Sequence, residues 1–168
     1  FMPPEASFYS LDLPGCGRSP KPSSLAFDAV CETIAEAIRS LGPERVTLVG
    51  NCSGAIFGLG AMPWMADRIE RLVLIDPFAY APLYFRLFVV PGFGKLAYAS
   101  TFANPLGRWL TNRSLKKHRT EATDLTESFA RIDHGVAYRY LELLTGIESI
   151  DPFAWIRQPI EIVHGART

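Results

Sequence analysis

Val46-Thr47-Leu48-Val49-Gly50-Asn51-Cys52-Ser53-Gly54-Ala55 is the stretch whose reading decides the fold. Arg45 to Val49 is a β-branched apolar run, read as a buried strand. It breaks off in small residues, and from Ile56 to Met65 the chain resumes as a mostly apolar helix. A strand that enters a helix through a tight turn crowds its own backbone, so the positions two residues either side of the apex must be small. With Cys52 at the apex those positions are Gly50 and Gly54, and Ala55 beyond is also small. With Ser53 at the apex one of them is Asn51, which is too bulky. The spacing selects Cys52 over Ser53 as the apex, the place a nucleophile would take on such a turn, in a G-x-C-x-G pattern.

Upstream, Phe8-Tyr9-Ser10-Leu11 reads as a short strand running into a segment dense in turn formers. There Pro14-Gly15 suits the central positions of a type II turn. A helix follows, with Ser23 or Ser24 as its cap. Phe27, Val30, Cys31, Ile34, Ile38 and Leu41 recur at three- and four-residue steps and form its apolar face. Cys31 on that stripe is a small core residue. Gly42, in a left-handed conformation, and Pro43 end the helix.

Downstream, Arg71 to Ile75 is a second buried strand, stopped at Asp76-Pro77. From Phe78 to about Ile150 the texture changes: aromatics crowd Phe78 to Phe93, and helix-like stretches follow Asn104. Asp124 and Glu127 could open one of them as a capping-box-like pair. Pro159 to His164 is a third buried strand, ending at Gly165. Strands alternating with helices predict an α/β fold with a parallel sheet wrapped by helices. Chemistry in open α/β sheets sits at the carboxyl ends of the strands. Three such ends carry reactive residues: Cys52, Asp76 and the segment after His164.

The bulk composition excludes several classes. The 168 residues are 48% hydrophobic and 20% charged, as in an ordinary globular protein. Lys+Arg and Asp+Glu both number 17, so the whole chain has no electrostatic footprint for nucleic acid or an anionic membrane. The short basic run Arg113 to Arg119 reads as a solvated helix face. Three cysteines, Cys16, Cys31 and Cys52, fit neither a disulfide framework nor a zinc pattern, which points to a reducing, cytoplasmic setting. No apolar run reaches the roughly 18 residues of a membrane span, and no signal peptide is visible. Gly15-Cys16-Gly17 lacks the third glycine of a dinucleotide site, so no cofactor is expected.

Four stretches together resemble the α/β-hydrolase family. They are Leu11 to Ser19, Val46 to Gly54, Arg71 to Pro77 and Ile160 to Gly165, in the family's order and at its distances. The resemblance implies that residues 1–77 and 157–168 are a partial α/β-hydrolase core carrying the fourth to seventh of eight strands. Residues 78–156 would be a helical cap or lid. The third strand, central in the sheet, would precede Phe1, leaving the strand at Phe8 beside a gap. The last strand and the catalytic histidine would follow Thr168. The chain is therefore expected to be an interior fragment, inactive alone. His164 is expected as a buried strand residue, and His118 and His134 as surface residues of the lid. The family's usual acid position falls on Thr168, which cannot ionise, so Asp76, where some members carry the acid, is the candidate. Asp12 would be a structural turn residue and Cys16 inert.

A thiol at the first turn of a helix faces the positive end of the helix dipole and several free N–H groups, both of which favour the thiolate. It would attack the carbonyl of a small acyl substrate (an ester, lactone or thioester) and form an acyl-thioester. The Ser53 N–H would be one oxyanion donor. The family's dienelactone-hydrolase and polyhydroxyalkanoate-synthase types share such a cysteine, so an acyltransferase is the alternative enzyme. A catalytically dead, ligand-binding member is the alternative outside enzymes.

Overall fold

The computed structural model describes residues 6–77, 83–115 and 127–165. Helix α1 (Phe27–Arg39), strand β1 (Val46–Asn51), helix α2 (Ser53–Met65) and strand β2 (Ile69–Ile75) follow one another. Helices α3 (Leu83–Leu87), α4 (Gly94–Tyr98), α5 (Pro105–Leu115) and α6 (His134–Thr145) come next, and strand β3 (Ile160–Val163) closes the series. A π-helical turn, Ala99–Ala103, joins α4 to α5. The three strands form one parallel sheet in the order β1-β2-β3.

The sequence's α/β reading holds, with physical differences in detail. Val46, Leu48 and Gly50 are at least partly buried and alternate with exposed Thr47, Val49 and Asn51. In β2, Leu72 and Leu74 are buried while Arg71 is exposed. A helix layer thus covers one face of the sheet, whereas both-face burial was expected from the apolar runs. β3 departs further, because all four of its residues are exposed at the sheet's end. His164 follows that strand and is exposed, not buried within it.

Residues 8–11 form no strand, and Phe8 is 68% exposed. A strand persists only where a neighbour takes up its N–H and C=O groups. None stands beside this segment among the described residues. The turn after it matches expectation: Cys16 N–H donates to Leu13 O at 2.8 Å, and Gly15 has φ +79°. The caps of α1 do not match. Ala26 is its N-cap, and the Ser24 hydroxyl accepts from Ala26 N–H ahead of the helix. Gly42 is not among the positive-φ glycines; α1 stops at Ser40, whose N–H bonds within the last turn. The proposed Asp124 cap lies outside the described residues.

The core sits between the helices and the sheet. Ile34, Ile38, Phe57, Met62, Leu72 and Leu74 belong to one buried cluster, which α6 joins through Val136 and Tyr140. Tyr140 meets the Phe57 ring edge-on at 5.2 Å between centroids, and its hydroxyl donates to Pro14 O at 2.8 Å. Asp133 caps α6 by accepting from Gly135 N–H and Val136 N–H. Cys31 is fully buried, with its thiol on Phe57 O, and burial pushes its pKa up to about 12. Gly60 lets α1 and α2 approach, since a Cβ there would stand 2.6 Å from Cys31 Sγ and 2.7 Å from the Phe27 ring.

That close approach yields a prediction. Gly60→Val should cost about 1–3 kcal/mol by overpacking. Gly42→Ala, which enters open space, should stay within about 0.5 kcal/mol. Urea denaturation of both variants checks the contrast.

Candidate functional site

The candidate site is built where β1 ends. Asn51 pairs in register with Ile75, and Cys52 N–H extends that ladder by donating to Ile75 O at 2.9 Å. The next peptide must reverse into α2. Cys52 does so at φ +51°, ψ −116°, a conformation L-residues rarely adopt. Such a residue costs of order 1–3 kcal/mol and persists only where its surroundings hold it. On one side is the ladder bond to Ile75. On the other is α2, whose Ala55 N–H donates to Cys52 O at 3.2 Å and whose residues Ala55 to Met62 are all buried. The outcome is a cysteine that is exposed, while Cys31 is buried.

The two elbow glycines differ. A Cβ on Gly50 would come within 2.5 Å of the Ala55 Cα, so glycine is required there. A Cβ on Gly54 would meet nothing within 4 Å. The crowding expected on both sides of the apex exists on the strand side only, because Gly54 has already turned into the helix and points away from the strand. Ser53 is the first residue of α2, and the opening N–H groups of a helix have no intrahelical acceptor.

Asp76 occupies the matching place at the end of β2. It too has positive φ, +43°. Its N–H donates to Val163 O at 2.8 Å, and its Oδ1 accepts from Gly165 N–H at 2.8 Å. His164 Nδ1 stands 3.7 Å from the same oxygen. Sequence reasoning did not find this clasp, because it depends on the register that sets Ile75 beside Val163. The structure thus brings Cys52 and Asp76 to adjacent strand ends. Among the described residues no hydrogen bond joins them.

A general base must stand between nucleophile and acid. The strand order instead places Asp76 between Cys52 and His164, with about 4.8 Å from strand to strand. His164 therefore lies on the far side of the acid. His134 opens α6, and its Nδ1 lies 3.3 Å from the Tyr98 hydroxyl. It is half-buried against that ring rather than a free surface residue. His118 and Thr168 lie outside the described residues. Asp12 is structural, accepting from Arg18 N–H with its carboxylate and from the Ser19 hydroxyl with its carbonyl. Cys16 is part-buried, and its thiol is pushed up by burial first and by Asp12 and Asp133 next, which disfavours the thiolate.

A cleft of about 670 Å³ opens between Val89, Pro91, Lys95 and the Tyr138 side of α6. Neither Cys52 nor Asp76 lines it. Among the described residues no cluster of His, Cys, Asp and Glu could hold a metal ion, and no helix is long and apolar enough to cross a membrane.

The family model for the alpha/beta hydrolase fold matches residues 3–166. No curated protein matches. Solved structures similar to this chain include a putative alpha/beta hydrolase from Nostoc sp PCC 7120, at 18% identity and TM-score 0.67, covering 93% of this chain and 63% of that one. The N-acyl homoserine lactonase AidH, complexed with N-butanoyl homoserine, is similar at 20% identity and TM-score 0.60, covering 92% and 58%. The epoxide hydrolase CorEH is similar at 17% identity and TM-score 0.54, covering 92% and 64%. The chain thus spans less than two thirds of the length of each of these structures.

The elbow's asymmetry is testable. Gly50→Ala should destabilise by about 1–3 kcal/mol, because its Cβ would meet the Ala55 backbone, which cannot move aside. Gly54→Ala should be neutral or stabilising by up to about 0.5 kcal/mol. Thermal melts of the two variants measure the difference.

Proposed function

Since the chain belongs to the α/β-hydrolase family, we propose that it acts in hydrolysis of carboxylic esters, lactones or thioesters, with the Cys52 thiolate as nucleophile. The observation that carries this reading is the exposed sulfur on a positive-φ turn between a parallel strand and a helix. In the proposed reaction the sulfur attacks the acyl carbonyl carbon and the carbonyl electrons move onto oxygen. The Ser53 N–H stabilises that oxyanion. Collapse expels the alkoxide or thiolate, which takes up a proton, and leaves an acyl-thioester on Cys52. Attack by water then releases the carboxylic acid and restores the thiol.

Asp76 is the proposed triad acid, which would orient and stabilise a protonated base. Its clasp by Gly165 N–H fixes the carboxylate at the strand end. No described histidine stands between Asp76 and Cys52. Deacylation needs a base to activate water, so acylation of Cys52 is the step that the described residues support. Residues 78–156 are the proposed lid; the helices described there, α3 to α6, are consistent with it. The lactonase among the similar structures makes an N-acyl homoserine lactone one substrate worth testing.

The chain incubated with p-nitrophenyl butyrate should release about one equivalent of p-nitrophenolate and then stall, the stoichiometry of a nucleophile acylated once. Peptide mass spectrometry should place the butyryl group on Cys52, and Cys52→Ala should abolish both signals. Acyl on Ser53, or an undiminished burst in Cys52→Ala, would refute the assignment. Preferential transfer from Cys52 to an added thiol rather than to water would favour the acyltransferase.

A further inference from the structure

Helix α6 packs on two bodies at once. Two residues along an α-helix turn through about 200°, so residues two apart point to opposite sides. Val136, Tyr140 and Leu143, four and seven residues along, form one face of α6. His134 and Tyr138 form the other.

The first face is seated in the core. Val136 and Tyr140 are buried, and Leu143 packs against the same core cluster. A Cβ on Gly15 would stand 3.2 Å from Val136 Cγ1, so the turn after Leu13 lies directly on this face. The buried bond from the Tyr140 hydroxyl to Pro14 O holds the turn there. Arg139 Nε donates to Leu25 O at 3.2 Å, and Lys21 Nζ stands 3.5 Å from Asp133 at the start of the helix.

The second face carries helices that follow β2. The Tyr138 hydroxyl donates to Phe88 O at 3.1 Å. The Tyr98 ring lies 5.2 Å from the Tyr138 ring and 6.0 Å from the His134 ring, centroid to centroid. Phe88 and Phe102 pack on Tyr98, and Phe129 stacks on Phe102 at 4.6 Å. This aromatic cluster is separate from the core cluster, which among the described residues takes in none of 83–115. The cleft of about 670 Å³ lies beside the seam, with Val89, Pro91 and Lys95 on one wall and Gly135, Tyr138 and Glu142 on the other. A packed interior leaves no gap of that size. Helices α3 to α5 thus rest on α6 through a narrow aromatic seam with open space beside it.

Elements with few buried contacts open at lower free energy than the core, and they open as cooperative units. We propose that α3, α4, the π-helical turn and α5 form a flap that swings off the His134 and Tyr138 face of α6, while α6 itself stays fixed on the core. The boundary falls between Phe129, which stacks with the flap, and Asp133, which caps α6. The proposal rests on the contacts of α6 and not on the chemistry assigned to Cys52.

Native-state hydrogen exchange of the full chain, resolved by peptide mass, tests it with two conservative variants. In the wild-type chain residues 83–115 should exchange at least about tenfold faster than residues 134–145. Swinging the flap breaks the Tyr138 bond to Phe88 and leaves the Tyr140 bond to Pro14 intact. Tyr138→Phe should therefore speed exchange of residues 83–115 by about two- to tenfold, the effect of losing one hydrogen bond. Tyr140→Phe should leave residues 83–115 unchanged and speed exchange of residues 134–145 by a similar factor, because α6 leaves the core only on global unfolding. The reverse pattern, with Tyr140→Phe quickening 83–115 and Tyr138→Phe not, would mean that α6 swings with the flap. Quickening of 83–115 by both variants would mean that nothing opens short of global unfolding. Quickening by neither would mean that any opening spares the seam. Each of these three results overturns the proposal.

Discussion

The hydrogen bond from Cys52 N–H to Ile75 O is the constraint from which the rest of the site follows. It is the last rung of the β1–β2 ladder, and it fixes the peptide just before the chain reverses into α2. Without it the positive φ of Cys52 would relax toward an ordinary conformation, and the sulfur would leave the mouth of the sheet. Gly50 is the second half of the constraint, because only a residue without Cβ lets α2 begin so near the strand. The burial of α2 from Ala55 to Met62 supplies the favourable free energy that offsets the strained turn. A similar device recurs one strand over. There Asp76 is held at positive φ by its N–H on Val163 O and by Gly165 on its carboxylate.

Much of this was legible in the order of residues. The elbow could be read because the steric demand of a strand-to-helix turn is local, and Gly50 and Cys52 lie within three residues. Helix α1 could be read because its apolar positions repeat at the helical period. What failed was non-local. Phe8 to Leu11 has strand-forming residues, but a strand exists only with a neighbour, and a sequence does not reveal who stands beside it. The exposure of Ile160 to Val163 depends on what packs against β3, none of whose residues joins the core cluster, and the apolar Ile160, Ile162 and Val163 do not reveal that in sequence. The clasp of Gly165 on Asp76 depends on the register of two strands separated by more than eighty residues. Gly54 looked like Gly50 on paper, yet one faces backbone and the other open space.

Charge illustrates the same limit. A sum over the chain reports neutrality, while the charged residues among 83–115 are all cations. The exposure of Leu106, Trp109 and Leu110 on α5 is equally hidden in the sequence, because it is set by the close seat of Gly107 on the π-helical turn. The candidate site at the strand ends and the apolar surface on the helices after β2 are separate features; α6 ties the later helices to the core through Val136 and Tyr140.

The central claim is geometric: one sulfur of three is presented to solvent by the elbow. Timed alkylation of the native chain with iodoacetamide, resolved by peptide mass, tests it directly. Cys52 should be modified first, Cys16 well behind it, and Cys31 only after denaturation. Modification of Cys31 or Cys16 as early as Cys52, or protection of Cys52 until the chain unfolds, would contradict the account.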